Sequence, residues 1–489
     1  MLDKLKELSK DTAIYGISSM LGRFLNFLLI PFYTNVHSIS TADFGIFTNI
    51  YAYIVFINVF YIYGVDAAYM KYASSAETAD RKKVFSTSYI MILLTTVFFS
   101  VLLYILKNPF SSLMQIPVSQ QNLFYYLILI IGLDALGMIP YAKLRLERKA
   151  ARFSFIRFTN ILINLFLNFY LVLKLKMGIE AIFIANLAAS FASFIMLLPD
   201  VFKELSWKVD KQIAYKILLF GIPYLPAAIS AQMVNVIDRP VVLAMTNEST
   251  LGIYQANYKL GIFMSLVVLM FQFAWQPFFL NNAKEKNAKE IFSKVLTLFL
   301  LFTGTICIFL SLFIEDFARI PFYHGRTIIG QAYLSGLPIV PIVLLGYLFN
   351  GLYYNFQAGI YIEEKTKYFP IVTGAGAIVN VVVNIILIPI LGIIGAAIAT
   401  LAAYMVMAGS LFYFSQKFYP IPYEYGKVFR ILILIFVTGG IYYYLLYSIG
   451  MLFIYKIILL VGFFMMLFAL RVIDKNEIVK FGKLLLRIK

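Results

Sequence analysis

The sequence is poor in the residues that build most catalytic, metal and disulfide sites. It contains one cysteine, Cys307, and two histidines, His37 and His324, in 489 residues. A lone cysteine excludes a disulfide framework and a cysteine-based metal site. The sequence also lacks the H-E-x-x-H and G-x-x-x-x-G-K-[ST] motifs and any long polar segment that could form a soluble domain. These absences argue against a metalloprotease and against direct ATP hydrolysis, and we expect no resident cofactor or metal.

Charged residues are also scarce, because they make up 13% of the chain while hydrophobic residues make up 62%. A soluble domain carries roughly a quarter charged residues. Apolar runs of about twenty residues, enough to cross a bilayer as a helix, recur along nearly the whole chain. The first run starts near Thr12 and is not followed by a small-residue cleavage site, which indicates a retained span. The composition therefore predicts an all-α, polytopic integral membrane protein.

Fourteen apolar segments are predicted to cross the membrane. They lie near residues 12–34, 46–70, 84–106, 121–141, 154–173, 178–199, 217–241, 251–280, 295–314, 334–358, 368–389, 391–413, 431–448 and 450–470. The short end segments, which carry leucines at helical spacing among basic residues, are predicted to lie in the headgroup layer as amphipathic helices.

The basic residues assign the predicted loops to the two sides of the membrane. Most of the 41 lysines and arginines fall in alternate loops and at both termini, and short loops rich in these residues are cytoplasmic. Both termini and residues 75–82 and 284–289 are therefore predicted to be cytoplasmic, whereas 38–42 and 246–249 are predicted to be external. This topology and attraction to anionic membrane lipids account for the formal charge of +17, so no nucleic acid is needed as a partner.

An internal repeat divides the chain into two related lobes. Asn164 and Asn168 recur 216 positions later as Asn380 and Asn384. Further matches are Gly178 with Gly392 and, more weakly, Gly45 with Gly252. Spans one to six therefore repeat as spans seven to twelve in the same orientation, which predicts a pseudo-twofold axis along the membrane normal. We predict an N-terminal lobe at 1–205, a C-terminal lobe at 206–420, and two further helices with a basic tail at 421–489.

Several charged residues fall at membrane depth, where an ionised side chain costs about 2.5 to 3.5 kcal/mol even on the gentlest insertion scale. They are Arg23, Asp66, Asp134, Asp238, Arg239 and Lys259. Each of them should face protein or water rather than lipid. A role in transport and a structural ion pair are both open for these residues, and snorkelling to the headgroups is a third alternative for Asp66, Asp238 and Arg239.

Span seven contains two prolines, Pro223 and Pro226. Proline removes a backbone donor and bends a helix, so we predict a kink at this place. The kink can be a moving gate or a static bend, and the sequence does not separate the two.

Three segments resemble the polysaccharide-biosynthesis flippases of the Wzx type, which share a superfamily with the multidrug MATE exporters and the lipid II flippases. These segments are 15–47, 220–259 (FGIPYLPAAISAQMVNVIDRPVVLAMTNESTLGIYQANYK) and 362–370 (IEEKTKYFP). The resemblance implies a MATE-like fold of fourteen helices. It also implies that the protein carries undecaprenyl-diphosphate-linked oligosaccharide from the inner to the outer leaflet of the bacterial cytoplasmic membrane, for cell-surface polysaccharide assembly.

The resemblance further implies that cationic cavity residues bind the diphosphate, and the matching candidates here are Arg23, Arg239 and Lys259. Other glycan-assembly proteins are candidate partners. The membrane potential, Na⁺ or H⁺ could supply the energy, and a carboxylate such as Asp66, Asp134 or Asp238 would serve in ion coupling or in charge pairing.

Two alternatives from other functional classes stay open. A cation-coupled drug or small-molecule antiporter of the MATE type would favour an acidic, aromatic cavity, against which Arg23 and Lys259 argue. A membrane-embedded glycan polymerase or ligase would bring a long external loop, whereas the longest one predicted here, at about 315–333, is short.

Overall fold

The computed structural model describes residues 27–75, 78–323, 326–450 and 452–472. Within these ranges the protein is helical apart from short connections and one small hairpin, so the predicted all-α fold is confirmed. Arg23, His324, most of the first predicted span and the two amphipathic end segments lie outside the described residues.

The helices up to Tyr258 form mainly from long apolar runs. Their bounds are α1 (27–35), α2 (Thr41–Ile62), α3 (Val65–Ser75), α4 (Thr78–Ile105), α5 (Lys107–Leu113), α6 (Asn122–Leu146), α7 (Ala150–Phe169), α8 (Glu180–Glu204), α9 (Lys211–Gly221), α10 (Leu225–Val236), α11 (Asp238–Met245) and α12 (Glu248–Tyr258).

The remaining helices follow after a 3₁₀ turn at Lys259–Gly261. They are α13 (Ile262–Asn282), α14 (Ala288–Ala318), α15 (Val340–Ile362), α16 (Tyr368–Leu391), α17 (Ile393–Phe418), α18 (Tyr425–Ser448) and α19 (Phe453–Ala469). Between α14 and α15 lie an antiparallel hairpin, β1 (Pro321–Tyr323) and β2 (Arg326–Thr327), and a 3₁₀ segment at Gln331–Ile339.

The protein is a multi-pass membrane protein. Among the described residues, 11 spans are long and apolar enough to cross a membrane, or 12 if the bent pair α9 and α10 counts as one. A shorter apolar helix, α19, corresponds to the last predicted span. Because most of the first predicted span is not described, the count of fourteen stays a prediction.

The chain forms two compact units. One comprises the described residues up to Lys259 together with 329–336 and 369–399. The other comprises 260–328, 337–368 and the described residues from 400 onward. The predicted lobes at 1–205 and 206–420, and the separate segment at 421–489, stay predictions.

The two copies of the repeat share local structure. In α7 the Asn168 side-chain amide donates to the Asn164 carbonyl at 2.8 Å, and in α16 the Asn384 amide donates to the Asn380 carbonyl at the same distance. Gly178 and Gly392 both adopt left-handed backbone conformations, with φ of 64° and 57°. Glycine reaches this region without a steric cost from a Cβ atom, so both copies make the same turn between helices.

Two helix starts in the first unit are fixed by side-chain caps. Ser40 and Asp43 form a reciprocal capping box at the start of α2. The Asn247 side chain accepts a hydrogen bond from the Thr250 amide at the start of α12. Such caps satisfy backbone donors that have no partner inside the helix. They therefore set where α2 and α12, which are related by the repeat, begin.

The second predicted span, near 46–70, is not one continuous helix. It divides at Tyr63 and Gly64, whose φ angles of 35° and 77° are both left-handed. The Tyr63 amide still donates to the Val59 carbonyl at 2.8 Å, which closes the last turn of α2. The hydrophobic run hid this break because both sides of it are apolar.

Candidate cation cluster

Lys259 occupies the point where α12 ends and a 3₁₀ turn leads towards α13. Its ammonium nitrogen lies 5.4 Å from the ring centroid of Phe44 and 5.5 Å from that of Phe47. Both distances lie within the approximately 6 Å over which an aromatic face attracts a cation. A helical side chain leans towards the N-terminus of its helix, so Lys259 reaches back along α12 to these rings on α2.

The structure gives Lys259 no carboxylate partner among the residues that it describes. The side chain is half-buried. A second lysine at membrane level, Lys456, is instead neutralised by Asp316 at 2.6 Å. The structural ion pair that was one reading of Lys259 is therefore not formed with any described residue, and its charge stays available for a ligand.

Asp238 and Arg239 open helix α11 beside Lys259. The Tyr254 hydroxyl donates to Asp238 Oδ2 at 2.7 Å, while Asp238 Oδ1 is buried without a hydrogen-bond partner in the described part of the chain. Arg239 Nε is also buried without such a partner. The Arg239 guanidinium lies close enough to Lys259 for the two positive charges to repel each other. Asp238 is thus partnered electrostatically by Arg239, while Lys259 has no described carboxylate partner.

The structure therefore brings together three of the residues singled out in the sequence, namely Asp238, Arg239 and Lys259. We call this group, with Tyr254, the cation cluster. Its excess of one positive charge and the unpaired donor Arg239 Nε fit an anionic group with several oxygen atoms, whereas Asp238 Oδ1 is an acceptor that needs a donor. Because Arg23 lies outside the described residues, its place relative to this cluster stays a prediction.

Asp134 belongs to a different polar group, on α6. Its Oδ1 accepts a hydrogen bond from the Ser190 hydroxyl of α8 at 2.8 Å. The Arg157 guanidinium, which acts on Asp134 electrostatically, lies 4.3 Å from the centre of the Tyr141 ring. This arrangement supports the charge-pairing reading of Asp134 and leaves ion coupling open.

Asp66 lies in the first turn of α3, directly after the break at Tyr63 and Gly64. It is half-buried, and no hydrogen bond or ion pair to another described residue accompanies it. A carboxylate in a first turn is stabilised by the helix dipole. Asp66 therefore has a sufficient structural role at this position.

The prolines of span seven lie at a bend. Pro223 is in the 3₁₀ turn Ile222–Tyr224 and Pro226 is the second residue of α10, and the axes of α9 and α10 differ by 44°. A Cβ atom added to Gly221 would lie 2.6 Å from the Tyr63 carbonyl oxygen. The break in span seven thus packs against the break in span two. The kink at the prolines was predicted from the sequence, whereas its contact with the break in span two was not.

Two features of the site were not predicted from the sequence. Phe44 and Phe47 supply the aromatic surface under Lys259, and Gln255 lies one helical turn before Lys259. Gln255 is fully buried, yet neither of its side-chain polar atoms has a hydrogen-bond partner among the described residues. The spacing of Gln255 and Lys259 on one helix face was the available signal.

Two large aromatic side chains that could in principle stack on a sugar, Tyr254 and Trp275, are buried. Tyr254 is fully buried, and Trp275 is 3% exposed and donates from its ring nitrogen to the Asn355 carbonyl at 3.1 Å. Each is therefore engaged within the protein.

Residues 8–283 match the family model described as "Polysaccharide biosynthesis protein". A comparison with curated protein sequences gives no match. Among solved structures, the fold is similar to that of the lipid II flippase MurJ in an inward closed conformation, with a TM-score of 0.74 and 17% identity over 96% of this chain and 100% of that chain.

The fold is also similar to an inward-facing multidrug resistance MATE family transporter of the MOP superfamily, with a TM-score of 0.65 and 13% identity over 81% of this chain and 94% of that one. A MOP superfamily transporter from Pyrococcus furiosus, described as having a binding pocket of reversed polarity, matches with a TM-score of 0.57 and 14% identity over 83% of this chain and 95% of that one. At these identities the likeness establishes the fold alone.

Proposed function

Because the chain belongs to the polysaccharide biosynthesis protein family, we propose that it is a flippase for a lipid-linked oligosaccharide rather than an enzyme. The substrate is an oligosaccharide on undecaprenyl diphosphate, and the protein moves it by alternating access from the cytoplasmic to the outer leaflet of the bacterial inner membrane. Both termini of the protein face the cytoplasm. Family membership and the likeness to a lipid II flippase support this proposal.

The excess positive charge of the cation cluster is the observation that carries the proposal. Lys259 has no described counter-ion, and Arg239 Nε has no described acceptor. A diphosphate carries several oxygen acceptors, and Arg binds phosphate oxygens in a fixed geometry while Lys acts as a mobile point charge. The diphosphate therefore satisfies both cations at once, with Arg23 as a proposed third contact.

The membrane potential can drive this movement. Moving about two negative charges outward across an inside-negative membrane is favoured by roughly 4 to 5 kcal/mol per 100 mV. Na⁺ or H⁺ coupling through Asp66, Asp134 or Asp238 would serve to reset the empty carrier. Other glycan-assembly proteins would act upstream and downstream of the transport step.

Reconstitution tests the substrate class directly. The purified protein, placed in liposomes with a fluorescent undecaprenyl-diphosphate-linked oligosaccharide, should move that lipid between leaflets, as measured by quenching with a membrane-impermeant reagent. The matched polyprenyl monophosphate lipid should move more slowly because it offers fewer oxygen acceptors. Export of an organic cation dye by the same liposomes, without movement of the lipid-linked sugar, would show the MATE-type antiporter instead.

A further inference from the structure

The loop between α8 and α9 is fixed to α4 through its backbone. The Ser86 hydroxyl donates to the Glu204 carbonyl at 2.9 Å and accepts from the Ser206 amide at 2.8 Å. The Thr87 hydroxyl oxygen accepts from the Asp210 amide at 3.1 Å. Both ends of the loop are therefore held in place. The loop joins predicted spans six and seven, and its lysines put it on the predicted cytoplasmic side.

The acidic side chains of this region are engaged within the protein. Glu204 Oε1 accepts a hydrogen bond from the buried Lys143 ammonium group at 3.1 Å. Asp210 Oδ1 caps the start of α9 by accepting from the amides of Gln212 and Ile213 at 2.9 Å and 3.0 Å. Each carboxylate thus has a structural partner of its own.

Four lysines around the same loop are exposed. They are Lys203, Lys208, Lys211 and Lys216. None of them forms a salt bridge with another described residue. In the neighbouring α6–α7 loop, by contrast, Arg152 is paired with Asp200 at 2.7 Å. The positive charge of the α8–α9 loop is therefore not used in holding the described fold together.

Large aromatic side chains are exposed beside these lysines. Trp207 is 75% exposed and Phe202 is 70% exposed, and Tyr215 of α9 is exposed as well. Trp and Tyr combine an apolar ring with a polar tip, which is why they are enriched where a membrane meets water. We call these three aromatic residues, together with the four lysines, the α8–α9 patch.

Helix α9 changes from charged to apolar along its exposed face. Lys211, Tyr215 and Leu219 follow one another at four-residue spacing, so they share a face of the helix, and all three are exposed. Ile217 is fully buried, and α9 packs against α3 and α4. At 1.5 Å per residue, the exposed face passes from a cation to an aliphatic side chain over about 12 Å. This order is expected where a helix enters the membrane, so it places Lys211 in the headgroup layer.

We propose that the α8–α9 patch is a binding site for an anionic phospholipid of the cytoplasmic leaflet. The lysines supply the charge that complements the headgroup phosphate, because a lysine near an anionic membrane surface is attracted to it. Trp207 places its apolar ring against the acyl chains and its N–H among the headgroups. Because the loop is already fixed to α4, lipid binding does not have to order it. The site does not rest on the transport function proposed above.

Tryptophan fluorescence tests the proposal without a transport assay. The chain has two tryptophans, and Trp275 is 3% exposed, so quenching by brominated acyl chains reports mainly on Trp207. The protein is placed in nanodiscs of phosphatidylcholine with a minor fraction of phosphatidylglycerol. Bromine on the phosphatidylglycerol chains should quench severalfold more than the same amount of bromine on the phosphatidylcholine chains. Trp207→Phe should abolish this difference, which identifies the reporting side chain.

Charge variants separate a defined site from a general attraction to the membrane. Lys208→Gln with Lys211→Gln should make the two brominated lipids quench equally. Arg145→Gln with Arg148→Gln, which removes two exposed cations from the neighbouring α6–α7 loop, is the control and should keep the wild-type preference.

Three outcomes would overturn the proposal. The first is equal quenching by the two brominated lipids in the wild type. The second is a preference for phosphatidylglycerol that survives the change at Lys208 and Lys211. The third is quenching of Trp207 by aqueous iodide but by neither lipid, which would show that the patch faces the cytosol and is open to a protein partner instead.

Discussion

Helix α7, in the first copy of the internal repeat, carries Arg157 where the second copy has Thr373 in α16. Conversely, the second copy carries Lys259 where the first copy has Ala52. The asparagine bonds, the left-handed glycines and the paired glycines Gly45 and Gly252 are common to both copies, whereas these charges are not. Features shared by both copies are sufficient for the common backbone. The unshared charges are not needed for what the two copies have in common, so Lys259, which has no described ion-pair partner, is the better candidate for transport.

The largest expected effect follows from removing an unshared charge. Lys259→Met keeps the length and apolar contacts of the side chain and removes only the ammonium group, so we expect flipping to fall at least about tenfold, on the order of the 1.5 to 3 kcal/mol carried by a hydrogen bond to a charged group. Initial rates in proteoliposomes with equal amounts of folded protein measure this.

Lys107 offers a matched control for that variant. It is also half-buried, lies 5.3 Å from the centre of the Tyr125 ring and donates to the Tyr125 hydroxyl at 2.7 Å. Lys107→Met should flip substrate at the wild-type rate. Equal rates for the Lys259→Met and Lys107→Met variants would mean that the unshared lysine is no more important than a lysine outside the cation cluster.

A smaller effect, on the free energy of unfolding, should distinguish Asn168 from Asn384, its equivalent in the second copy of the repeat. Asn168 Oδ1 also accepts a hydrogen bond from the Tyr33 hydroxyl at 2.7 Å, whereas Asn384 Oδ1 is buried without a described partner. Asn168→Ala leaves that hydroxyl unpaired, so we expect it to lower the free energy of unfolding by about 1 to 3 kcal/mol more than Asn384→Ala does. Thermal or denaturant unfolding in one detergent compares them.

The Tyr33→Phe background provides the check on that comparison. There the two asparagine variants should destabilise the protein about equally, because no hydroxyl remains to be left unpaired. A persistent difference in this background would show that something other than the Tyr33 bond distinguishes the two copies.

The smallest effect concerns Glu147 and Glu363, which are equivalent in the repeat because they lie 216 positions apart. Partial burial by itself would raise the pKa of Glu147, but the hydrogen bond from Lys149 and the charges of Lys143 and Lys149 lower the pKa below its usual value. The stabilisation is therefore complete above the unfolded pKa of about 4.3 and is lost as the pH falls through the lower folded pKa. Acidification below about pH 5 should destabilise the wild type more steeply than Glu147→Gln.

Glu363→Gln is the control for that pH series, because no ion pair with another described residue accompanies Glu363. Its melting temperature should follow the wild type across the same pH range. If Glu147→Gln also follows the wild type, the contacts of Glu147 with Lys143 and Lys149, at 3.4 Å and 2.7 Å, are too well solvated to matter.

Hydropathy and proline placement were sufficient for the helical architecture and for the bend at Pro223 and Pro226. Hydropathy failed at Tyr63 and Gly64, because a helix break between two apolar segments leaves the apolar run uninterrupted. The repeat was visible because it preserves residues such as Asn164 and Asn168 whose bonds are local in sequence.

The site was less predictable than the fold. Depth in the membrane singled out Asp238, Arg239 and Lys259 one by one, but the sequence could not show that they lie together, since their proximity depends on how α11 packs beside α12. The Phe44 and Phe47 surface was hidden for the same reason, because it comes from a helix some 200 positions away. Phenylalanines are too common in this chain, at 47, for composition to mark these two.

Direct binding of the diphosphate headgroup tests the central claim most closely. The affinity of the detergent-solubilised protein for an undecaprenyl-diphosphate-linked sugar should weaken at least about tenfold in Lys259→Met and again in Arg239→Met, as expected for loss of a charge-assisted hydrogen bond. The Lys107→Met variant should bind like the wild type, and the matched monophosphate lipid should discriminate little among the four proteins. Unchanged affinity for the diphosphate lipid in both cluster variants, with folding intact, would contradict the account.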